Sequence, residues 1–157
     1  MREILFKAKR IDNGEWVEGY YEKYNNRHYI NKETDRLNTG GYPIREFIEV
    51  DENTICQYTG LTDKNGKRIW ENDILRGNND DRDLIKVVFG EFGVIDVNSL
   101  EVVENVIGLH YEVIPTDHLS RTEPFCLSMP ITSSYINYCS FEVIGNIFDN
   151  KELLERD

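Results

Sequence analysis

Apolar and polar residues alternate at the beginning of the chain. Ile4, Phe6 and Ala8 recur at every second position, and Lys7 and Lys9 fall between and after them. Successive side chains of a strand point to opposite faces, so a period of two predicts a strand with one apolar and one polar face. We therefore expect an amphipathic strand over these residues.

A hairpin is predicted directly after this strand. The pair Asn13–Gly14 supplies the positive φ angles that a two-residue turn of the primed type requires. A second strand over residues 15–21 is expected to pair back onto the first. Farther along, Gly40 and Gly41 mark a bend in a stretch of scattered polar residues.

Short apolar runs predict further strands. They cover residues 47–50, 55–58, 84–89, 94–97 and 139–148. The segment RGNNDDRD, residues 76–83, has no apolar side chain and predicts a solvated loop. The pattern as a whole indicates a chain of strands joined by loops.

Two later segments depart from this pattern. The run SLEVVENVIGLHYEVI, residues 99–114, fits a helical stripe, but its β-branched residues favour a strand, and the pattern leaves both open. Three prolines and several serines predict a long irregular connection, and they are Pro115, Pro124, Pro130, Ser128, Ser133 and Ser134. The closing segment DNKELLERD predicts a short C-terminal helix capped by Asp149 or Asn150.

Charge bears on the class of partner. The chain has 157 residues, of which 29 are acidic and 18 basic, and its net charge is -11. A charge of this sign repels a phosphate backbone and removes the sequence-independent attraction on which nucleic-acid-binding proteins rely. Direct binding to nucleic acid is therefore not expected, although an acidic protein can act as a nucleic-acid mimic.

The cysteines and the N-terminus bear on compartment. Cys56, Cys126 and Cys139 are odd in number and lack a Cys-x-x-Cys spacing, so reduced, buried thiols are expected. The first ten residues, MREILFKAKR, mix charged and apolar positions where a signal peptide would need an apolar run. A cytoplasmic protein with no membrane contact is the expectation.

The segment QYTGLTDKNGKRIWENDIL, residues 57–75, is the part of the chain that most resembles a nucleotide site. A phosphate-binding P-loop needs four residues between its glycines and then Lys followed by Ser or Thr. Here five residues separate Gly60 from Gly66, and Arg68 follows Lys67. The pair Asn65–Gly66 predicts a tight hairpin turn instead, and no cofactor is expected.

The same segment resembles the signature of the YopX family of phage and prophage proteins. Members of that family typically read Gln-Tyr-Thr-Gly-Leu-x-Asp-x-x-Gly-x-x-Ile-aromatic-Glu-Gly-Asp-Ile. The matching positions are Gln57, Tyr58, Thr59, Gly60, Leu61, Asp63, Gly66, Ile69, Trp70, Glu71, Asp73 and Ile74. The opening REILFKAKR and the closing FEVIGNIFDNKELL resemble the two ends of the family pattern.

This resemblance implies a single domain over residues 1–157 that is mainly β, with coiled β-sheets around an SH3-like barrel. It also implies a protein encoded by a temperate phage or prophage. Asn72 stands where the family usually has Gly, and an Asn can occupy the same left-handed conformation. Residues 97–138 match none of the family's motifs, and the segment from about 98 to 135 is expected to be variable and partly irregular.

No metal site is expected from the histidines or from the acidic loop. His28, His110 and His118 lack the spacing that places two imidazoles on one metal, although the last two could meet across a loop. The acidic loop resembles a calcium loop in composition, with Asn78, Asn79, Asp80, Asp81 and Asp83, but it lacks the central Gly and the terminal Glu. Isolated histidines and a solvated loop, which could hold a cation weakly, are the expectation.

Other residue types of catalytic interest also have ordinary interpretations. Ser133, Ser134, His118 and Asp117 are the residue types of a hydrolase triad, but no Gly-x-Ser-x-Gly elbow presents a serine. The aromatic residues that alternate in predicted strands could form a stacking platform for bases, but core packing is their commoner use. They are Trp16, Tyr20, Tyr58 and Trp70.

The sequence therefore predicts a non-enzymatic interaction or regulatory module without catalytic, cofactor or metal residues. Its expected partner is another protein, a second copy included, and it would be reached through sheet edges and the loops of residues 86–138. The alternative is a nucleic-acid-linked accessory protein that uses an SH3-like barrel, or an acidic mimic of nucleic acid. A small hydrolase or metal enzyme would require His110, His118 and Asp117 to converge.

Overall fold

The computed structural model describes residues 3–96, 98–99, 101–116 and 128–155. The chain is mainly β, as predicted, and its strands form two antiparallel sheets. It divides into two compact units, Met1–Gly60 and Leu61–Asp157. That the whole chain is one domain stays a prediction.

Eleven strands and one α-helix are found in the described residues. The strands are β1 (Phe6–Lys9), β2 (Trp16–Tyr24), β3 (Arg27–Leu37), β4 (Pro43–Glu49), β5 (Cys56–Thr62), β6 (Arg68–Trp70), β7 (Asp73–Arg76), β8 (Leu84–Ile95), β9 (Val102–Val113), β10 (Met129–Pro130) and β11 (Glu142–Asn146). The helix is α1 (Ser133–Tyr138), and short 3-10 turns cover Glu52–Thr54 and Lys151–Leu153. None of the described helices is long and apolar enough to span a membrane.

In the first unit, five antiparallel strands follow the order β4-β3-β2-β1-β5. The predicted alternation of β1 is confirmed at Ala8, which is buried, and at Phe6, which packs against the core. Ile4 precedes the strand and is exposed, while Leu5 is buried in its place. The core of this unit consists of Ala8, Val17, Ile30, Ile48 and Val50.

The primed hairpin turn lies at a different place from the one predicted. At the first hairpin only Gly14 has a positive φ, of 72°, and a wider loop is closed by a bond from the Gly14 amide to the Arg10 carbonyl. The two-residue turn is Asn25–Asn26, with φ angles of 48° and 59°, between the paired residues Tyr24 and Arg27. Asn tolerates the left-handed region better than other non-Gly residues, so Asn-Asn can replace Asn-Gly.

In the second unit, the sheet order is β10-β9-β8-β7-β11. The helical alternative for residues 99–114 is wrong, because β9 runs through most of this segment and pairs with β8 along its whole length. Its β-branched side chains fit a pleated surface better than a helix. The largest core cluster of this unit contains Ile69, Leu75, Ile85, Val87, Tyr111, Ile131, Ile136, Cys139 and Phe141.

The helical segments differ from the prediction. Helix α1 was not predicted, and it begins within the connection that was expected to be irregular, after Thr132, whose hydroxyl accepts a bond from the Tyr135 amide. The C-terminal helix is only a 3-10 turn that follows Asn150. The Asn150 side chain accepts a bond from the Asn146 amide, so it makes no cap to the turn. Among the described strands no closed barrel is found.

A five-residue turn connects β5 to β6. The Asp63 amide donates to the Lys67 carbonyl at 2.8 Å, and the Gly66 amide donates to the Asp63 carbonyl at 2.9 Å. Gly66 has a φ of 78°, and the predicted tight turn is confirmed. A Cβ at this position would meet no atom within 4 Å, so the backbone conformation, not space, selects Gly here.

Replacing Gly66 by Val tests this turn. The left-handed region brings a β-branched side chain against its own backbone, so Gly66→Val should lower the free energy of unfolding by about 1–2 kcal/mol. Urea denaturation followed by tryptophan fluorescence measures the change, and Asn65→Ala serves as a control at a position without positive φ. An unchanged midpoint for Gly66→Val would contradict the assignment.

Candidate functional site

The signature segment is organised by the carboxylate of Asp63, which is 6% exposed. Its Oδ1 atom accepts bonds from the Asn65 amide at 2.8 Å and from the Lys67 amide at 2.9 Å, both within the turn. Its Oδ2 atom accepts a bond from the Val143 amide at 3.0 Å, eighty positions away in the sequence. The carboxylate thus shapes its own turn and fastens the turn to β11.

The signature also builds a second corner, at WENDIL. The buried Asp73 carboxylate accepts a bond from the Trp70 amide at 2.9 Å. Asn72 has a φ of 66°, as expected for a residue that replaces Gly, and its amide donates to the Val87 carbonyl at 2.8 Å. The chain therefore passes from β6 into β7 at this corner, and the amides of Trp70 and Asn72 both donate hydrogen bonds there.

Most of the remaining signature positions are packed inside the protein. Tyr58, Thr59, Ile69, Trp70 and Ile74 are buried, and Gln57, Leu61 and Glu71 are half-buried. Gly60 is exposed and has a φ of 84°. These residues serve packing and backbone geometry.

Ion pairs occupy the carboxylates near the acidic loop. Arg76 contacts Asp81 at 2.7 Å and Glu142 at 2.6 Å, and hydrogen bonds from its guanidinium hold the pKa of Glu142 below the ordinary value. Arg82 binds Asp80 at 2.9 Å and lowers the pKa of that carboxyl. The described residues contain no group of three or more His, Cys, Asp or Glu side chains placed to hold a metal ion.

The histidines have separate structural surroundings. His28 lines a cleft of about 480 Å³ in the first unit, where its Nδ1 atom lies 2.8 Å from the Tyr21 hydroxyl and its Nε2 atom 2.9 Å from Glu52. Both ring nitrogens thus have partners within the protein. His110 is buried and stacks on Phe92 with ring centroids 4.6 Å apart. His118 and Asp117 lie outside the described residues.

The other catalytic candidates are equally dispersed. Ser133 and Ser134 are exposed on the first turn of α1. Cys56 and Cys139 are buried free thiols, and burial raises the pKa of the Cys139 thiol. Cys126 lies outside the described residues. Low thiolate content and burial make a nucleophilic role unfavourable for Cys139.

The four aromatic residues predicted as an alternative stacking platform do not form one surface. Tyr58 and Trp70 are buried, as core packing would require, whereas Tyr20 is exposed. Trp16 lies under two cations, with the Lys7 and Lys9 ammonium groups 5.0 and 5.5 Å from the ring centroid. The platform hypothesis is therefore wrong for this set.

The strongest candidate for an interaction surface is the outer half of the β8–β9 hairpin. Strand β7 pairs with β8 only at residues 84–86, and β10 pairs with β9 only at residues 110–111. Over residues 88–95 and 102–108, no described strand pairs with the outer edges of this hairpin. We call this part of the hairpin the arm.

The surface of the arm is apolar and acidic. Phe89 is 58% exposed and Ile107 is 74% exposed, and both lie on the same face of the ribbon, in the adjacent pairs Phe89–Leu109 and Glu91–Ile107. Residues 87–111 contain four carboxylates and no Lys or Arg. The arm lies within residues 86–138, the range in which the sequence predicts partner contacts, but its bounds depend on where the neighbouring strands end.

Thiol reactivity tests the structural role assigned to the cysteines. We expect all three thiols, Cys126 included, to be free, and we expect Cys56 and Cys139 to react slowly with an aromatic disulfide reagent until urea unfolds the protein. The measurement is the rate of thiolate release with and without urea. A disulfide in the purified protein, or stoichiometric zinc, would contradict this expectation.

Comparisons with known proteins agree with the resemblance seen in the sequence. The chain matches the family model described as YopX protein over residues 5–155, a range that includes the segment without recognised motifs. No curated protein matches the chain significantly. A crystal structure of protein EF1440 from Enterococcus faecalis is similar at 22% identity and a TM-score of 0.45, over 99% of this chain and 100% of that one. The chain belongs to the YopX family.

Proposed function

We propose that this protein is a non-enzymatic interaction module that binds another protein through its arm. The observation that carries the proposal is that no described strand pairs with the outer edges of β8 and β9 in the arm, where apolar side chains are exposed. Unpaired strand edges present a row of N–H and C=O groups to which a further strand can add. A partner strand would gain backbone bonds along the edge and contacts with Phe89 and Ile107 on the apolar face.

Charge limits which partners suit the arm. The four carboxylates of residues 87–111 have no basic neighbour within that range, so a partner with Lys or Arg beside apolar residues would be complementary. A second copy can also cover the same edges, but its arm carries the same charge. Self-association should therefore strengthen as salt screens the repulsion, whereas binding of a basic partner should weaken.

Origin and compartment are part of the proposal. Membership of the YopX family supports a phage or prophage gene and action in the cytoplasm of a bacterial host, on a host or phage protein. Free, buried Cys56 and Cys139 suit a reducing compartment.

A nucleic-acid-linked role is the second candidate. Small SH3-like barrels often bind nucleic acid, and such a barrel is the finer fold that the resemblance implies, but fold analogy is a weak warrant. The net charge of -11 opposes direct binding and favours instead a protein that imitates nucleic acid. The acidic, apolar arm suits a protein partner better than it suits a phosphate backbone.

Light scattering coupled to size-exclusion chromatography tests the proposal at micromolar concentration. We expect a species larger than a monomer, with a share that grows as salt is raised from about 0.05 to 0.5 M. Ile107→Lys should shift this species toward the monomer without changing the melting temperature, because position 107 is exposed.

The control is Tyr138→Lys, which places the same charge on the exposed surface of α1 and should leave the distribution unchanged. A monomer at all salt concentrations that is retained on single-stranded DNA in about 150 mM salt, near physiological ionic strength, would overturn the proposal. That result would put the nucleic-acid candidate first.

A further inference from the structure

A small cavity lies on the face of the first sheet that is opposite to its core. Its lining consists of Tyr24, Tyr29, Phe47 and Glu22, and its volume is about 250 Å³. The strand register explains why these side chains meet. Glu22 pairs with Tyr29 across β2 and β3, and cross-strand partners share one face of a sheet.

The other two walls come from the same face. Tyr24 lies two positions after Glu22 on β2, and Phe47 lies on β4 opposite Asn31, two positions from Tyr29 on β3. The core side chains Ile30 and Ile48 occupy the alternate positions and point to the other face. Three aromatic rings and one carboxylate therefore surround a cavity that is not part of the hydrophobic core.

These aromatic rings are accessible. Tyr24 is 66% exposed and Phe47 is 54% exposed, while Tyr29 is half-buried at the back of the cavity. Large aromatic side chains ordinarily contribute their area to a core or to an interface. Exposed rings grouped around a cavity on the outer face of a sheet are available for contact with a ligand.

The carboxylate of Glu22 differs from its neighbours on the same face. Arg27 contacts Glu49 at 3.5 Å, and Arg45 contacts Glu33 at 3.3 Å, so each of those two carboxylates has a cationic partner. Glu22 has no ion-pair or side-chain hydrogen-bond partner among the described residues. An uncompensated negative charge thus stands at the edge of the aromatic cavity.

A second polar group on the same face of the sheet lacks a partner. Asn31 is 7% exposed and lies on the same face, between Tyr20 and Phe47 in the register. Its Oδ1 atom is buried and accepts no hydrogen bond from any described residue. A buried acceptor without a donor is costly, but Asn31 is not one of the side chains that line the cavity, so the proposal rests on the aromatic rings and Glu22.

We propose that this cavity binds the guanidinium group of an arginine side chain carried by a partner protein. Cations within about 6 Å of an aromatic face are attracted by the ring quadrupole, and aromatic cages recognise organic cations in this way. A guanidinium is planar, so it stacks on Tyr and Phe rings, and its N–H groups can bond the Glu22 carboxylate at the same time. This site lies in the first unit, and it does not depend on the arm.

NMR titration of the full-length, ¹⁵N-labelled protein tests the proposal. The probe is N-acetyl-arginine methylamide, and its matched control is the citrulline analogue, which has nearly the same shape but no charge. We expect the arginine probe to shift the amide resonances of Tyr24, Tyr29 and Phe47 in a saturable manner, and the citrulline probe to bind at least about tenfold more weakly.

Variants separate the cavity from the general acidity of the surface. Glu22→Gln and Phe47→Leu should each weaken binding of the arginine probe by about fivefold or more, because each removes one of the attractive elements. Glu33→Gln and Tyr42→Leu are the controls, since Glu33 is already paired and Tyr42 is exposed outside the cavity. Both controls should bind the probe as the unmodified protein does.

Three results would overturn the proposal. The first is equal binding of the arginine and citrulline probes, which would remove the role of charge. The second is equal loss in Glu22→Gln and Glu33→Gln, which would indicate non-specific attraction to an acidic surface. The third is binding of the lysine analogue or of tetramethylammonium at least as tight as that of the arginine probe, which would remove the preference for a planar guanidinium.

Discussion

The buried carboxylate of Asp63 is the interaction on which the arrangement of the second unit depends. It accepts three backbone N–H bonds, two from its own turn and one from Val143 in β11. A hydrogen bond to a charged acceptor contributes about 1.5–3 kcal/mol, and an unsatisfied buried amide costs a comparable amount. The Lys64 amide donates to the carbonyl of Phe141, the residue before β11, at 3.0 Å. The turn is therefore bonded to the beginning of β11 at Phe141 and at Val143.

The structural role of Asp63 is shared by the other residues of the family signature, whereas the candidate functional surfaces lie elsewhere in the chain. The signature residues shape turns, a corner and the core, and they explain how the chain folds. The arm and the aromatic cavity lie outside residues 57–75, and each has apolar side chains that are exposed and not packed in a core. The signature residues thus account for the fold, and the two surfaces proposed for binding lie outside the signature.

Turn conformations could be predicted from the sequence at positions where the residue type determines the backbone φ angle. Gly66 and Asn72 have the positive φ angles that the turn and the family pattern imply. The Asn25–Asn26 turn was not predicted because Asn-Asn is a weaker turn signal than Asn-Gly. Helix α1 was not predicted because a segment of six residues is too short to show a helical period. The cavity around Tyr24, Tyr29 and Phe47 could not be predicted, since it depends on the register between three strands.

Native-state hydrogen exchange tests the role of Asp63 most directly. In Asp63→Asn one acceptor oxygen becomes an N–H₂ group, so at least one of the three bonds is lost. The amide of Val143, or those of Asn65 and Lys67, should then exchange on the order of tenfold faster, equivalent to about 1.4 kcal/mol. Asp12→Asn, at an exposed ion pair with Arg10, is the control. Unchanged exchange at all three amides would contradict the account.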